Sequence, residues 1–251
     1  MLNRLFRHKT KPVAGAPTGG RVYAIGDVHG RLDLLRALYR LIEQDAAGTE
    51  APCRIVLLGD YVDRGPESAG VIDFVLEGID SRFDPVFLKG NHEQLMLDFL
   101  EDPAVGPAWF ATGGADTVLS YGVRVGSDRI DHAEISARLA EALPPAHRAF
   151  LDALAVSHRW GNYVFAHAGI RPRIPLERQD TQDLLWIRRE FLSADGFGGL
   201  CVVHGHSQVT DPVDLPHRVA VDTGAYHSGR LTAAVLDAGG RRFLSTGDRA
   251  G

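Results

Sequence analysis

The 251-residue chain has the composition of a globular protein, with 45% hydrophobic and 24% charged residues, which excludes disorder, collagen and coiled coils. Its 27 Lys and Arg against 32 Asp and Glu give a net charge of −5, and therefore no electrostatic reason to expect nucleic-acid binding. Two cysteines exclude a disulfide scaffold and favour a cytoplasmic location, and no apolar run reaches the roughly 20 residues that span a membrane.

Residues 1–20 are predicted to be a flexible basic tail, followed by a single domain over 21–251. The first part of this domain alternates short apolar runs with helical patterns, which is typical of a layered α/β fold. Buried strands are predicted at 22–25, 54–58 and 85–88, and they precede helices over 32–45, 66–76 and 95–100.

The segment 102–159 lacks strand alternation and is predicted to be a helical subregion packed over the sheets, rather than a second domain. After it, the Gly161-Asn162 pair between two apolar runs predicts a β-hairpin. Further strands are predicted at 201–203, 218–221 and 231–236, with a final hairpin through Gly239-Gly240. The expected fold class is therefore α/β.

Polar, glycine-rich clusters follow the predicted strands at five places. They are GDVHG at 26–30, GDYVDRG at 59–65, GNHE at 90–93, HAG at 167–169 and HGH at 204–206. A single Gly-Asp pair after a strand is usually only a turn, but these clusters together hold five of the 11 histidines. Because ligands gather at the carboxyl ends of strands in α/β sheets, we expect the clusters to form one site.

The residue types in these clusters suit a pair of metal ions. Asp27 and His29 are two residues apart, so in an extended segment their side chains point the same way and can bind one ion. Asp60 has two carboxylate oxygens and can bridge this ion to a second, whose other ligands would be Asn91, His167 and His206. Mixed carboxylate, imidazole and amide ligands suit Mn, Fe or Zn. Paired metals of this kind support in-line displacement at phosphorus by a bridging hydroxide.

The same clusters offer a proton donor and a phosphate ligand. His92 directly follows Asn91, so its side chain is expected to project away from the metal ligand and toward a substrate. There it can protonate a leaving oxygen as a general acid. Asp63 can hold the His92 ring in position, and Arg64 offers two parallel N–H groups to phosphoryl oxygens.

In this order, the clusters resemble the PPP-type metallophosphoesterases, which include serine/threonine protein phosphatases and symmetrical diadenosine tetraphosphatases. Within that group the chain looks most like the phage-lambda-type and bacterial protein phosphatases, and the stretches 185–188 and 221–225 support this. The resemblance implies a calcineurin-like sandwich of two mixed β-sheets flanked by helices, with a dinuclear site at the strand ends.

The resemblance also implies a role for each matching residue. Asp27, His29 and Asp60 match the first metal site, and Asp60, Asn91, His167 and His206 match the second. His92 and Asp63 match the acid pair. Arg64 and Arg188 match the phosphate-binding arginines. The implied cofactor is two divalent ions, with Mn²⁺ as the first choice and Fe or Zn as alternatives. His204 is expected to be a strand-end residue that supports the site rather than a ligand.

The leading hypothesis is a phosphomonoesterase that acts on phosphoserine or phosphothreonine, and also on phosphotyrosine, in proteins or peptides. The alternative is a symmetrical diadenosine tetraphosphatase or nucleotide-cap hydrolase, with the helical subregion as a lid and Arg124, Arg129 and Arg138 as phosphate contacts. Acidic residues interleave with these arginines, which favours a solvated mixed-charge face instead. A non-catalytic phosphoprotein-binding module is only a minor alternative. An inactive relative should have lost a metal ligand or the acid, whereas here all the expected ligands and the acid pair remain. The sequence leaves the oligomeric state open.

Three tryptophans, Trp109, Trp160 and Trp186, are interpreted as packing residues, and Trp186 also as a wall beside Arg188. The histidine His227, after the Asp222-Thr223-Gly224 turn, is interpreted as an exposed loop residue without a role.

Overall fold

The computed structural model describes residues 19–125 and 131–247. Most of the predicted basic tail and Arg129 lie outside these residues, and the division into a tail and one domain stays a prediction. The strands in chain order are β1 (Arg21–Ile25), β2 (Cys53–Leu57), β3 (Phe83–Phe87), β4 (Ser157–Trp160), β5 (Tyr163–Ala166), β6 (Cys201–His204), β7 (Val213–Leu215), β8 (Arg218–Ala220), β9 (Thr232–Asp237) and β10 (Gly240–Ser245).

Ten α-helices occur in the described part of the chain. They are α1 (Leu32–Ala46), α2 (Ser68–Glu77), α3 (Asn91–Glu101), α4 (Gly106–Ala111), α5 (Gly114–Ser120), α6 (His132–Ala142), α7 (Pro145–Ala153), α8 (Thr181–Trp186), α9 (Arg189–Leu192) and α10 (Ala225–Ser228). None of the helices in these segments is both long enough and apolar enough to cross a membrane.

The strands form two five-stranded sheets. The first has the order β10-β9-β1-β2-β3 and the second β4-β5-β6-β8-β7. Each sheet is mixed, since β1, β2 and β3 run parallel, as do β5, β6 and β8, while the remaining pairs are antiparallel. This architecture confirms the predicted α/β fold class with two mixed sheets flanked by helices.

The sheets pack face to face, and the alternation of side chains along β1 shows how. Val22 and Ala24 lie in the layer between the two sheets, together with β5, β6 and β8 residues. Tyr23 and Ile25 point the other way and pack under α1 and α2. Because both faces are covered, this strand is apolar at consecutive positions, which is the pattern expected of buried parallel strands.

The predicted helical subregion contains α4, α5, α6 and α7, and the described residues within it form no strand before β4 at Ser157. Two of the helices begin at residues other than those predicted from the sequence. The second begins at Ser68 rather than Pro66, because Arg64 is still in a left-handed turn. The third begins at Asn91 rather than Leu95, because the Glu93 side chain accepts the N–H of Gly90 and caps the first turn.

Candidate active site

The loops that carry the five sequence clusters meet at the carboxyl ends of the parallel strands of both sheets. The loops after β1 and β2 are joined by backbone hydrogen bonds from Val28 N and His29 N to Asp60 O, at 3.0 and 2.8 Å. The loops after β5 and β6 are joined in the same way, with Gly205 N donating to His167 O at 2.9 Å. The convergence of strand ends therefore gathers residues that are far apart in the chain.

Backbone strain is concentrated in these loops. Within residues 19–125 and 131–247, six non-glycine residues have a positive φ, and five of them belong to the clusters: His29, Asp60, Asp63, Arg64 and His206. Each left-handed residue costs on the order of 1–3 kcal/mol and persists only where its surroundings fix it. Gly90 shows how tightly the loops pack, since a Cβ there would lie 2.1 Å from Asp60 Oδ1.

Two groups of donor atoms lie at the centre of the site. His29, Asp60 and His92 form one, and Asp60, His167 and His206 form the other, with the donor atoms of each group within 4.8 Å of one another. The two oxygens of Asp60 face different groups, since Oδ2 is 3.5 Å from His29 Nε2 and Oδ1 is 3.4 Å from His167 Nε2. Asp60 thus has the geometry of a shared carboxylate.

The histidines of these groups present lone pairs to the centre. The Nδ1–H of His29 donates to the Val62 carbonyl at 2.8 Å, and that of His167 donates to the Leu58 carbonyl at 2.9 Å. Since a carbonyl can only accept, Nε2 of each ring carries the lone pair. Burial lowers the pKa of His29 to about 3, and burial, together with neighbouring positive charges that include Arg188, lowers the pKa of His206 to about 2. Neutral imidazoles are the form that binds metals.

The donor set fits divalent metal ions. Nε2 of His206 is buried and has no hydrogen-bond partner among the described residues. Nε2 of His167 lies 2.9 Å from Asn91 Oδ1 as well as 3.4 Å from Asp60 Oδ1, so acceptor atoms are brought together without protons between them. Such an arrangement is stable when a cation pairs with the acceptors.

Asp27 lies beside the two donor groups rather than within either of them. It is buried but belongs to neither donor group; its carboxylate accepts the His206 N–H at 3.0 Å and lies against Asp222. Burial and the charges of Asp222 and Asp60 raise the pKa of Asp27 well above its usual value. Asp222 was not among the predicted site residues. A signal was present, because Asp222 follows a strand end and precedes a glycine by two residues, much as Asp60 follows β2.

His92 and Asp63 form the expected pair. The Nδ1–H of His92 donates to Asp63 Oδ2 at 2.6 Å, and both side chains are buried. Burial alone would lower the pKa of His92, but the carboxylates of Asp60 and Asp63 outweigh it and raise the pKa. Nε2 of His92 lies 3.9 Å from Asp60 Oδ2, so distance alone also places His92 in the first donor group.

Asp63 has further donors that the sequence did not reveal. The indole N–H of Trp109 donates to Asp63 Oδ2 at 2.9 Å, and the Thr117 hydroxyl donates to Oδ1 at 2.6 Å. The interpretation of Trp109 as a packing residue is therefore incomplete: it is fully buried, but it also orients the carboxylate that holds His92.

Glu93 is the last residue of the GNHE cluster and had no predicted role, and it supports the loop after β2. It is fully buried, and its carboxylate accepts the backbone N–H groups of Gly90, Asp60, Tyr61 and Val62 at 2.8–3.2 Å. Burial and the charge of Asp60 raise the pKa of Glu93 to about 7. The four donors fix the backbone that carries Asp60.

The two predicted phosphate-binding arginines lie on different sides of the centre. Arg64 Nη1 is 2.9 Å from His29 Nε2, and Nη2 is 3.1 Å from His92 Nε2. Arg188 is exposed, and its charge acts on the pKa of His167 and His206, which places it by the second donor group.

Other predicted residues lie outside the centre. His204 is buried in the strand end, and its Nδ1–H donates to the Gly205 carbonyl at 2.9 Å. Arg138 pairs with Glu134 at 3.6 Å on an exposed face of α6, as expected of a mixed-charge surface.

The site has two groups of nitrogen and oxygen donors that share one carboxylate, and they lie next to a His–Asp pair and two arginines. This combination is typical of a metal-dependent hydrolase of anionic esters. The chain belongs to the calcineurin-like phosphoesterase family, whose sequence model matches residues 20–237. It is a metallophosphoesterase, and the predictions of the family, of enzymatic activity and of a metal-dependent hydrolase are confirmed. Members of this family use a dinuclear metal site, with which the two donor groups agree.

Two relatives illustrate the range of activities within the family. Serine/threonine-protein phosphatase 1 of Salmonella typhimurium is 28% identical over 218 residues, covering 85% of this chain and 90% of the relative. The asymmetrical bis(5'-nucleosyl)-tetraphosphatase PrpE of Bacillus mycoides is 28% identical over 227 residues, covering 83% and 87%.

Solved structures agree with the fold. A candidate diadenosine tetraphosphatase superposes with a TM-score of 0.62 at 23% identity, covering 92% of this chain and 95% of the other. The cold-active protein-tyrosine phosphatase of a psychrophilic Shewanella species gives a TM-score of 0.57 at 18% identity, covering 94% and 83%. At these identities the likeness shows the fold alone.

Proposed function

We propose that the chain is a phosphomonoesterase that removes phosphate from phosphoserine and phosphothreonine, and also from phosphotyrosine, in proteins or peptides. The observation that carries this proposal is the buried His92–Asp63 pair, with its 2.6 Å contact, beside the guanidinium of Arg64. A serine or threonine alkoxide is a poor leaving group, so its departure requires a positioned acid. The relative named as a serine/threonine-protein phosphatase supports the same substrate class.

The proposed metal ligands are those expected from the sequence. Asp27, His29 and Asp60 would hold one divalent ion, and the second would be held by Asp60, Asn91, His167 and His206. Mn²⁺ is the proposed metal, because it accepts mixed carboxylate, imidazole and amide ligands. When bound, such a pair activates water and neutralises the charge of the phosphoryl group.

The remaining chemistry is assigned to side chains of the chain. Arg64 and Arg188 bind phosphoryl oxygens from two sides of the centre. Nε2 of His92 delivers a proton to the leaving oxygen, and Asp63 keeps the ring in the orientation that this transfer needs. With the ring protonated, His92 Nε2 and Arg64 Nη2, which are 3.1 Å apart, are both donors and converge on one acceptor oxygen.

The replacement His92→Asn tests the proposal by leaving-group dependence. Turnover of a phosphothreonine peptide should fall by about 10²- to 10⁴-fold, the usual contribution of a general acid. Turnover of p-nitrophenyl phosphate should fall less, because p-nitrophenolate leaves without a proton. The metal content should stay the same.

His227→Asn is the matched control, since His227 is exposed and belongs to neither donor group. Equal losses on both substrates, together with a loss of metal, would instead make His92 a ligand of the first donor group and overturn the acid assignment.

Hydrolysis of dinucleoside tetraphosphates is the second candidate, and the similarity to PrpE favours it. Its products identify the mode of cleavage, because symmetrical cleavage of diadenosine tetraphosphate gives two ADP and asymmetrical cleavage gives ATP and AMP. Values of kcat/KM should be higher on the phosphothreonine peptide. Rapid cleavage of the dinucleotide with feeble peptide turnover would reverse the order of the two candidates.

A further inference from the structure

Tyr226 lies against His29, a member of the first donor group, and against Arg64 next to it. Its ring centroid is 5.6 Å from that of His29, in an edge-to-face arrangement. The guanidinium carbon of Arg64 lies over the same ring, 4.8 Å from the centroid. Tyr226 is half-buried, and it has no role in the proposed function.

The turn that carries Tyr226 is held in place at several points. It consists of the short helix α10 between Gly224 and Gly229, which have left-handed φ values of 68° and 71°. Gly224 N donates to Asp222 Oδ1 at 2.9 Å, which ties the turn to the carboxylate beside Asp27. On the other side Arg31 Nη1 donates to the Ala225 carbonyl at 3.0 Å. Because Arg31 comes two residues after His29, the turn is fixed to the loops of the site itself.

The guanidinium of Arg64 has two other partners in the site: Nη1 lies 2.9 Å from His29 Nε2, and Nη2 lies 3.1 Å from His92 Nε2. The Arg64 backbone is left-handed, with φ 69°, and its N–H donates to the Gly113 carbonyl at 3.2 Å. Along the side chain, Nε reaches the Thr112 carbonyl only at 3.4 Å. The proposed function assigns His29 Nε2 to a metal ion and His92 Nε2 to the leaving oxygen, so neither contact can restrain the guanidinium during the reaction. Fixing this long side chain on an anion then costs conformational entropy. The Tyr226 ring removes part of that cost, because an aromatic face attracts and restrains a guanidinium.

We propose that Tyr226 is a positioning residue for the phosphoesterase reaction, which holds the Arg64 guanidinium over the site so that its N–H groups meet the phosphoryl oxygens. This inference rests on the assignment of Arg64 to phosphate binding under the proposed function. Tyr226 acts through Arg64 and does not itself contact the reacting atoms. Only the ring is required, and the hydroxyl is dispensable.

The test compares Tyr226→Leu with Tyr226→Phe in the Mn²⁺-loaded protein, using inorganic phosphate as the probe. Tyr226→Leu should raise the inhibition constant of phosphate and the KM for p-nitrophenyl phosphate about three- to tenfold. Its kcat should change less than twofold. Tyr226→Phe should leave all three constants unchanged, because it keeps the aromatic face. Calorimetric titration with phosphate provides the same comparison without turnover.

Double variants separate positioning from direct substrate contact. In an Arg64→Ala background, Tyr226→Leu should add no further loss of phosphate binding, because its effect passes through Arg64. An equal loss in both backgrounds, or no loss in Tyr226→Leu alone, would overturn the inference. Tyr226→Met replaces Tyr226→Leu if the latter does not unfold cooperatively.

Failure of the proposed function would be recognised separately. If phosphothreonine peptide is not turned over but the phosphate constants follow the expected pattern, the substrate proposal fails and the positioning role stands. If Arg64→Ala itself leaves phosphate binding unchanged, the basis of this inference fails, whatever the substrate.

Discussion

Replacing Glu93 by glutamine is expected to destabilise the protein and weaken the site at the same time. Each carboxylate oxygen of Glu93 accepts two backbone N–H groups: Oε2 those of Asp60 and Gly90, and Oε1 those of Tyr61 and Val62. A glutamine keeps one acceptor oxygen and turns an NH₂ group toward the other two donors. Two buried N–H groups would therefore lose their partner.

The magnitude follows from these contacts. Two hydrogen bonds to a charged acceptor contribute about 3–6 kcal/mol together. The burial that raises the pKa of Glu93 to about 7 offsets part of this, because the neutral amide has a smaller desolvation cost. We expect the free energy of unfolding to fall by about 2–4 kcal/mol, a large share of the 5–15 kcal/mol that is typical of a domain.

Denaturant unfolding of the metal-loaded protein measures this change, with bound metal determined on the same samples. Glu77→Gln is the control, because it is the same chemical substitution at a residue that is exposed at the end of α2. A decrease for Glu93→Gln that equals the control would refute the idea that this carboxylate holds the loop after β2.

Three further changes address the same centre. Trp109→Phe removes the N–H that Asp63 accepts at 2.9 Å, and kcat on the phosphothreonine peptide should fall about tenfold, with a smaller effect on p-nitrophenyl phosphate. Gly90→Ala would place a Cβ 2.1 Å from Asp60 Oδ1, and elemental analysis should find less metal per chain. Chelation with EDTA should abolish hydrolysis and lower the Tm, and added Mn²⁺ should restore both, because a ligand that binds only the native state stabilises it.

Matched variants provide the controls. Trp160→Phe changes a tryptophan in β4, away from Asp63, and should leave the ratio of the two substrates unaltered. Gly196→Ala adds a Cβ that meets no atom within 4 Å and should retain full metal content. Turnover that survives thorough chelation would contradict the metal-dependent mechanism, and an unchanged substrate ratio in Trp109→Phe would contradict the link from Trp109 to the acid.

Much of the architecture was predictable because local patterns determine it. Consecutive apolar residues such as Val22–Ile25 indicate a strand buried on both faces, and a helix-period stripe identifies α1. The sheet order and the short elements were not predictable in this way. Strand β7 has three residues and helix α9 four, and such segments are too short for periodicity to show.

For the site, the sequence identified the residues that follow strands but not the contacts made between distant elements. Trp109 is 46 residues from Asp63 in the chain, and its apolar surroundings indicate burial without revealing a hydrogen bond. The contact between Asp27 and Asp222 likewise depends on how β1 and β8 are brought together by the packing of the two sheets. Glu93 belongs to a cluster that the sequence shows, but its contacts with four backbone N–H groups form only in the folded loop.

The shared position of Asp60 has a consequence for how the protein is made. Asp60 follows β2 of the first sheet, whereas His167 and His206 follow β5 and β6 of the second. Both halves of the sandwich must therefore be synthesised and docked before the second donor group exists. Capture of a cation by this group would be a late step in biogenesis, because a nascent chain that ends before residue 206 lacks one of its donors.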